Sequence, residues 1–182
     1  MEIAVYGGSF NPPHVGHAMV AAWLLWTRRA DEVWLLPAHQ HAFEKSLASF
    51  ALRCSMCEAL AASVSDAVRV CAVERELPTP SYTYNTLRHL RASYPEHRFR
   101  LVLGADNLSS VHQWFRWEAL MAEFEPILVG RAGYPEVVDS PTFPDVSSTA
   151  VRQRISRGEP VDHLLMPAVE RLALAAYRSE RA

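Results

Sequence analysis

The fold of this chain is decided by one segment near its start, Gly7-Gly8-Ser9-Phe10-Asn11-Pro12-Pro13-His14-Val15-Gly16-His17. An apolar run, Ile3–Tyr6, precedes the segment, and a stretch with apolar periodicity, Ala18–Trp26, follows it. This order predicts a strand, a glycine turn and a helix. Glycine lets main-chain N–H groups approach an anion, and the helix start adds the positive end of its dipole. The segment therefore predicts a phosphate-binding site.

Two histidines, His14 and His17, stand three residues apart at the predicted helix start, so both imidazoles can face the same anion. The segment contains neither the dinucleotide-binding pattern G-x-G-x-x-G nor the P-loop pattern. A zinc site would need further ligands, and none lies close in sequence. Capping and packing explain one histidine equally well, but the pair beside a Gly-Gly-Ser turn favours phosphate binding.

The composition predicts a single globular domain. The chain has 182 residues, of which 49% are hydrophobic and 21% charged, and its net charge is −2. That balance gives no field for recruiting nucleic acid or an anionic membrane, and the longest apolar run is too short to span a bilayer. With no signal core at the start and only three cysteines, we expect a cytoplasmic protein.

Cysteine and lysine are sparse in this chain, so each could mark a site. Cys54 and Cys57 lie inside a helical pattern, and we interpret them as small core residues because a redox pair is expected at a helix start. Lys45 is the only lysine beside 17 arginines and lies in the loop after the second predicted strand. Its compact charge on a flexible stem suits a moving phosphate, although exposed loops are ordinary places for lysine.

Strands and helices alternate along the whole chain. The pattern predicts an α/β protein: a Rossmann-like, doubly wound, mainly parallel sheet with helices on both faces, in one domain over residues 1–182. A C-terminal helical portion, about 147–180, is expected to pack on it. The predicted strands are Glu2–Tyr6, Glu32–Pro37, Val68–Val73, Arg98–Gly104, Pro126–Gly130 and Thr142–Val146. The predicted helices are His14–Arg29, Phe50–Ser63, Tyr84–Ser93, Trp117–Phe124, Ser148–Arg157 and Val161–Arg178.

Three further segments follow predicted strands and should meet the first motif at the carboxyl edge of the sheet. They are 103–106, which ends in Asp106, 129–131, which ends in Arg131, and 146–152. In the last of these, hydroxyls at a helix start stand one turn before Arg152, an arrangement that suits a second phosphate. Plain N-capping explains the serines alone, but two such helix starts on one edge favour a polyphosphate substrate.

These motifs resemble those of the nucleotidyltransferase superfamily marked by H-x-G-H and S-S-T-x-x-R, here residues 14–17 and 147–152. Within it, the chain is most similar to the bacterial nicotinate mononucleotide adenylyltransferases. The likeness extends from Gly7 to about Arg157. It includes the opening motif, the segment 81–87, Gly104-Ala105-Asp106 with Trp114 and Trp117, and the segment 129–134.

The resemblance implies transfer of AMP from ATP to nicotinate mononucleotide, which gives deamido-NAD and pyrophosphate without an enzyme nucleophile. Catalysis then consists of positioning and charge stabilisation. The resemblance implies that His14 and His17 stabilise charge on the phosphates and that Arg152 steadies the departing pyrophosphate. It also implies that Lys45 supplies a cation from its loop.

The resemblance also assigns the two binding regions. Ser147 and Ser148 would hold the β- and γ-phosphates, Asp106 would accept from the ATP ribose, and the main chain at Gly130 and Arg131 would face adenine. The other residues expected on ATP are Gly8, Ser9, Phe10 and Gly104. The residues expected on the mononucleotide are Ser9, Tyr82, Thr83 and Trp114, with the tryptophan stacked on the pyridine ring. Mg²⁺ is expected to arrive with ATP, so no metal-binding residues are predicted.

Two departures from the family pattern leave the second substrate open. The loop after the second strand carries His39 and His41, and Asn85 stands where the family commonly has Asp. Nicotinamide mononucleotide and phosphopantetheine are therefore alternative acceptors, a cytidylyltransferase is a related alternative, and a nucleotide sensor without turnover is an alternative of another class. The expected partners are ATP and a pyridine mononucleotide, with no nucleic acid and no membrane. A homo-oligomer is compatible with the sequence.

Overall fold

A computed structural model describes residues 1–39 and 47–178 of the chain. Its described strands form one six-stranded sheet in which every neighbouring pair is parallel, in the order β3-β2-β1-β4-β5-β6. The strands are β1 (Glu2–Gly8), β2 (Glu32–Pro37), β3 (Val68–Val70), β4 (Arg98–Gly104), β5 (Ile127–Arg131) and β6 (Thr142–Phe143). The strand order reverses between β1 and β4, which is where doubly wound sheets bind ligands.

Helices connect the strands and cover both faces of the sheet. They are α1 (Val15–Trp26), α2 (Phe50–Val64), α3 (Thr83–Ser93), α4 (Trp117–Phe124), α5 (Ser148–Arg157) and α6 (Pro167–Tyr177). Within residues 1–39 and 47–178, no helix combines the length and the apolar character needed to cross a membrane. The predicted α/β, doubly wound fold class is confirmed.

The strands divide their side chains between two cores, because successive residues of a strand point to opposite faces. In β1, Ala4 packs on the face covered by α1, α2, α5 and α6, whereas Ile3 and Val5 pack on the face covered by α3 and α4. In β2, Leu35 belongs to the first core and Leu36 to the second. A strand buried on both faces has no polar side, so its sequence is a continuous apolar run.

The C-terminal helices pack on the first core. Val151 of α5 and Val169 of α6 are fully buried in the same cluster as residues of α1 and α2. Cys57 is fully buried in that core, while Cys54, one turn earlier on α2, is half-buried; both are free thiols. The interpretation of the pair as packing residues thus fits Cys57 more closely than Cys54.

Several predicted boundaries are wrong by a few residues. The strand predicted over Val68–Val73 ends at Val70, and a 3₁₀ turn occupies Val73–Arg75. The last strand ends at Phe143, because the Pro144 that follows has no N–H for the ladder. The last helix begins at Pro167 instead of Val161; residues 161–166 form turns, and proline takes its favoured place at the first helical position.

Candidate active site

A cavity of about 710 Å³ opens at the carboxyl ends of β1 and β4, where the strand order reverses. Most of the residues predicted to bind substrate line it. They are Gly8, Ser9, Phe10, His14, His17, Tyr82, Thr83, Gly104, Asp106, Trp114, Arg131, Ser147, Ser148 and Arg152. Gly130 is not part of the lining, and Lys45 lies outside the described residues. The volume suits a ligand of nucleotide size.

The two histidines are held against each other at the start of α1. His14 is the N-cap residue, and its main-chain N–H donates to Nδ1 of His17 at 3.0 Å. The centroids of the two imidazole rings lie 3.8 Å apart. A Cβ at Gly16 would lie 3.1 Å from Nδ1 of His14, so the glycine between the histidines gives the first ring its room.

Both histidines are neutral in the ligand-free site. Burial, with a smaller contribution from the Arg131 charge, lowers the pKa of His14 to about 4. Burial and the neighbouring His14 hold the pKa of His17 well below its usual range. Because Nδ1 of His17 accepts the main-chain hydrogen bond, its proton lies on Nε2. His17 is therefore a neutral hydrogen-bond donor, prepared without proton uptake.

Phe10 supports this pair from behind. The residue is 1% exposed, and its ring centroid lies 4.9 Å from that of His17 and 5.9 Å from that of Tyr6. Its backbone is in the left-handed region with φ of 46°, an unfavourable conformation for a side chain of this size. The predicted contact of Phe10 with ATP stays a prediction.

The start of α5 is docked onto the first motif by side chains. The Ser148 hydroxyl donates to the Pro12 carbonyl at 2.8 Å, and the Arg152 guanidinium donates to the Asn11 carbonyl at 2.6 Å. Ser147 caps α5, where its hydroxyl accepts from the Ala150 N–H at 3.1 Å. These side chains fix the two helix starts relative to each other. The N–H groups of Ser148 and Thr149, in the first turn of α5, have no acceptor inside the helix and can meet an anion.

An ion pair occupies the next part of the wall. Asp106 accepts from Arg131 at 2.7 Å, and the same guanidinium lies 2.8 Å from Asp145. A Cβ at Gly104 would lie 2.3 Å from Oδ1 of Asp106, so only glycine leaves this carboxylate in its place. The paired carboxylates raise the pKa of Arg131 against the effect of burial.

The main chain at Gly130 is already engaged. Its N–H donates to the Ser140 hydroxyl at 2.8 Å, and residue 130 pairs with Thr142 in β6. Arg131 reaches the cavity, but Gly130 lies in the ladder between β5 and β6. The predicted adenine contact at Gly130 stays a prediction. Because the Gly130 N–H already donates to Ser140, adenine would have to contact other groups.

The predicted pyridine side is formed by the start of α3. The helix begins at Thr83 with Tyr82 as its N-cap, and its first turn holds no acidic residue. The Ser81 hydroxyl lies at the same place, buried and without a hydrogen-bond partner among the described residues. The N–H of Asn85 already donates to the Tyr82 carbonyl. The N–H groups of Thr83 and Tyr84, the helix dipole and the Ser81 hydroxyl together suit a carboxylate ligand.

Aromatic side chains close this end of the cavity. Trp114 is half-buried and packs edge to face on Trp117, with centroids 6.1 Å apart. Phe115, which the sequence analysis did not single out, lies 4.8 Å from the Tyr82 ring and is 43% exposed. The cavity therefore offers two exposed rings besides the tryptophan for stacking on a planar ligand.

Sequence reasoning missed two buried polar residues in the wall of the cavity, Glu74 and Asn11. Glu74 is 4% exposed and accepts from the His39 N–H at 3.0 Å and from the Thr86 hydroxyl at 3.2 Å. The Asn11 side chain, 3% exposed, accepts from the Ala48 N–H and the Tyr177 hydroxyl. The partners of both residues are distant in sequence. The only sequence signal for Glu74 and Asn11 is a charged or amide residue among apolar neighbours that are buried.

The departures from the family pattern lie away from this cavity where the structure describes them. Asn85 is exposed and is not among the residues that line the cavity, and His39 packs its ring on Phe50 at 4.9 Å. His41 lies outside the described residues. Asn85, where the family commonly has Asp, therefore does not change the charge of the residues that line the cavity.

The carboxylates of the cavity do not form a metal cage. Within the described part of the chain, no three His, Cys, Asp or Glu side chains are grouped so as to hold an ion. The two carboxylates that line the cavity, Asp106 and Glu74, already accept hydrogen bonds from protein donors. This donor set suits a divalent cation that enters bound to phosphate and water.

A cavity at the topological switch point, with two helix starts at its edge, is typical of nucleotide-binding α/β proteins. Residues 5–154 match the sequence profile of the cytidylyltransferase-like family. The chain belongs to this family.

Two curated relatives of the chain share one name. The probable nicotinate-nucleotide adenylyltransferase of Anaeromyxobacter sp. (strain K) is 48% identical over 173 residues, which cover 93% of this chain and 92% of that protein. The protein with the same name from Myxococcus xanthus (strain DK1622) is 38% identical over 170 residues, covering 92% and 88%.

Solved structures share the fold. The Plasmodium falciparum nicotinic acid mononucleotide adenylyltransferase complexed with NaAD superposes with a TM-score of 0.80 at 18% identity, covering 100% of this chain and 98% of that one. A putative nicotinate-nucleotide adenylyltransferase from Vibrio parahaemolyticus gives a TM-score of 0.73 at 22% identity, covering 97% and 95%. At these identities the likeness establishes the fold.

Proposed function

We propose that this protein is a nicotinate-nucleotide adenylyltransferase, which transfers AMP from ATP to nicotinate mononucleotide and forms deamido-NAD and pyrophosphate in NAD biosynthesis. One observation carries the proposal: the neutral His14–His17 pair, the α5 start and the α3 start all border one cavity of nucleotide size. The curated relatives that bear this name, at up to 48% identity over most of the chain, support it.

The reaction needs no covalent enzyme intermediate. A phosphate oxygen of the mononucleotide forms a bond to the α-phosphorus of ATP as the bond from that phosphorus to pyrophosphate breaks. Negative charge grows on the α-phosphoryl and bridging oxygens, where the Nε2–H of His17 and the neighbouring His14 ring stabilise it. Arg152 and the first turn of α5 receive the pyrophosphate, and Lys45 adds a cation.

The acid preference follows from the start of α3. The N–H groups of its first turn and the hydroxyl of Ser81 bind the pyridine carboxylate, which the positive helix end favours over a carboxamide. Trp114 stacks on the pyridine ring. The ribose of ATP bonds to Asp106, whose position the ion pair with Arg131 fixes.

The proposal also covers the cation, the cell compartment and the oligomeric state. ATP enters as its Mg²⁺ complex, with the ion held by phosphates and water. The protein works in the cytoplasm, and apart from Lys45, which lies outside the described residues, the groups named above border one cavity within a single chain. A homo-oligomer remains compatible with this site.

The test is pyrophosphate release with ATP and Mg²⁺, comparing nicotinate mononucleotide with nicotinamide mononucleotide at matched concentrations. We expect turnover with the acid to exceed turnover with the amide. Equal use of both would overturn the acid preference assigned to the α3 start. Turnover only with phosphopantetheine, or with CTP as donor, would replace the proposed reaction, and ATP binding without pyrophosphate release from any acceptor would make the protein a sensor.

A further inference from the structure

We propose that Arg53, a buried residue of α2 outside the cavity lining, is a positioning residue that holds the Gly8–Phe10 turn for phosphate transfer. This inference rests on the function proposed above. It adds a residue on another helix, 36 positions beyond His17 in the chain.

Arg53 is 1% exposed and uses its whole guanidinium fork. Nε donates to the Ala48 carbonyl at 3.0 Å, one terminal nitrogen donates to the Ser9 carbonyl at 2.8 Å, and the other donates to the Ala38 carbonyl at 2.7 Å. These acceptors belong to three segments: the turn after β1, the chain after β2 and the residues before α2. A planar fork with fixed donor directions is suited to holding three separate carbonyls.

The contact with Ser9 matters for the phosphates because of peptide geometry. The Ser9–Phe10 peptide bond is trans, so the carbonyl of Ser9 and the N–H of Phe10 point in opposite directions. A guanidinium that fixes the carbonyl therefore fixes the direction of that N–H as well. Both residues line the cavity beside His17, and Phe10 keeps its left-handed backbone conformation at this point.

Glu74 completes the arrangement from the opposite side. Its carboxylate accepts from the N–H of His39, which belongs to the same peptide group as the Ala38 carbonyl bound by Arg53. One peptide dipole thus lies between a buried cation at its negative end and a buried anion at its positive end. Burial lowers the pKa of Arg53, and the charge of Glu74 is among the smaller effects that oppose this lowering. We infer that the two residues hold this strand end as a unit.

The first experiment compares Arg53→Met, which keeps most of the side-chain volume without donors, with Leu60→Ala as the matched control. Leu60 is a fully buried residue of the same helix and is not among the residues that line the cavity. We expect Arg53→Met to lower kcat about 100-fold and to weaken ATP binding about ten-fold, since small misplacements of phosphate-binding groups have effects of this size. Leu60→Ala should lower the Tm but change kcat and ATP affinity by less than about two-fold.

Arg53→Lys is the conservative variant and covers the case in which the methionine variant does not fold. A single ammonium keeps the charge but cannot reproduce the fork, so we expect kcat to be about ten-fold below that of the native protein. The Tm of each Arg53 variant is compared with that of Leu60→Ala as a control for stability. The proposal is overturned if both Arg53 variants retain native kcat and native ATP affinity.

A double-mutant cycle tests the pairing with Glu74. Glu74→Gln removes the charge and keeps the capacity to accept from His39 and to bond Thr86. If the two residues act as a unit, the double variant loses little more kcat than Arg53→Met alone. If the kcat losses of the two single variants multiply in the double variant, Arg53 and Glu74 act independently and the proposed unit is wrong. ATP affinity separates this inference from the proposed function. If the native protein binds ATP without turnover, the proposed function is wrong. The role of Arg53 can then still be tested, because Arg53→Met should weaken ATP binding relative to the native protein.

Discussion

The phosphate end of the cavity is fixed by hydrogen bonds to main-chain groups, whereas the pyridine end is lined by rings that contact one another. Ser148 and Arg152 donate to the carbonyls of Pro12 and Asn11, and His17 accepts from a main-chain N–H. At the other end, the partly exposed rings of Tyr82 and Phe115 contact each other, with their centroids 4.8 Å apart.

This difference fits what each end is proposed to recognise. Charge that develops during transfer is stabilised best by donors already in place, because reorganising them would add to the barrier. A planar ring can instead be gripped by side chains that adjust, since stacking tolerates small changes of angle. Substitutions at the phosphate end should therefore affect kcat, and substitutions at the pyridine end should affect KM for the mononucleotide.

The largest effect should follow from His17→Ala at the phosphate end. Removing a prepared neutral donor should lower kcat by about 10³-fold, or about 4 kcal/mol, because its contact strengthens in the transition state. The Kd for ATP should change much less, so single-turnover rates and ATP titrations would separate the two quantities. An equal loss in both would show that His17 only binds the substrate, and the contrast between the two ends would disappear.

The second prediction concerns the burial that keeps the histidines neutral. The pKa of His14 is about 4 in the folded protein and near 6.5 in the unfolded chain. Between these two pH values, the unfolded chain binds a proton at His14 and the folded protein does not. The free energy of unfolding should fall as the pH drops from 6.5 towards 4, by about 3 kcal/mol from His14, with His17 acting in the same direction. Urea unfolding at a series of pH values measures this dependence.

A matched pair of variants assigns the pH effect. His14→Gln should reduce the pH dependence to the part that His17 contributes, whereas His163→Gln, at an exposed histidine, should leave it as in the native chain. Saturating ATP should also reduce the loss at low pH, because phosphate favours the imidazolium. A slope unchanged in His14→Gln would mean that other groups carry the pH dependence.

The sequence predicted the parts of the site whose residues are close together in the chain. H-x-G-H and S-S-T-x-x-R each form a helix start, so their spacing indicates both the helix and the chemistry. Arg53 could not be found in this way. Its carbonyl partners lie 5, 15 and 44 residues away, and a main-chain acceptor has no side-chain signature in the sequence.

The fold shows the same division. Alternating apolar segments predicted six strands and six helices, but the start of the last helix was wrong because Val161, Leu164 and Leu165 continue its apolar spacing. Val161 and Leu165 are buried as turn residues, and the Leu164 carbonyl accepts the N–H of Val15 at the start of α1. Periodicity records which residues are buried; it does not record which of them belong to a helix.

A third prediction uses the glycine beside the ion pair. The Cβ of Gly104→Ala would displace the Asp106 carboxylate, which should raise KM for ATP about 30-fold, or about 2 kcal/mol, if that carboxylate bonds the ribose. Asp106→Ala should have a similar effect. If Gly104 acts only by giving Asp106 room, the double variant should be no worse than Asp106→Ala. A further loss in the double variant would place a separate requirement at Gly104.

The smallest effect is expected at the pyridine end, from Trp114→Ala. The loss of one stacking ring should raise KM for the mononucleotide by about ten-fold, a little over 1 kcal/mol, with kcat almost unchanged. Phe115→Ala is the informative companion, because its ring is exposed at the same end and contacts Tyr82. If Phe115→Ala raises this KM more than Trp114→Ala does, the pyridine stacks on the Tyr82–Phe115 pair, and the tryptophan serves to pack the loop on Trp117. If either variant instead lowers kcat about 100-fold, this end also depends on fixed geometry, and the contrast drawn between the two ends fails.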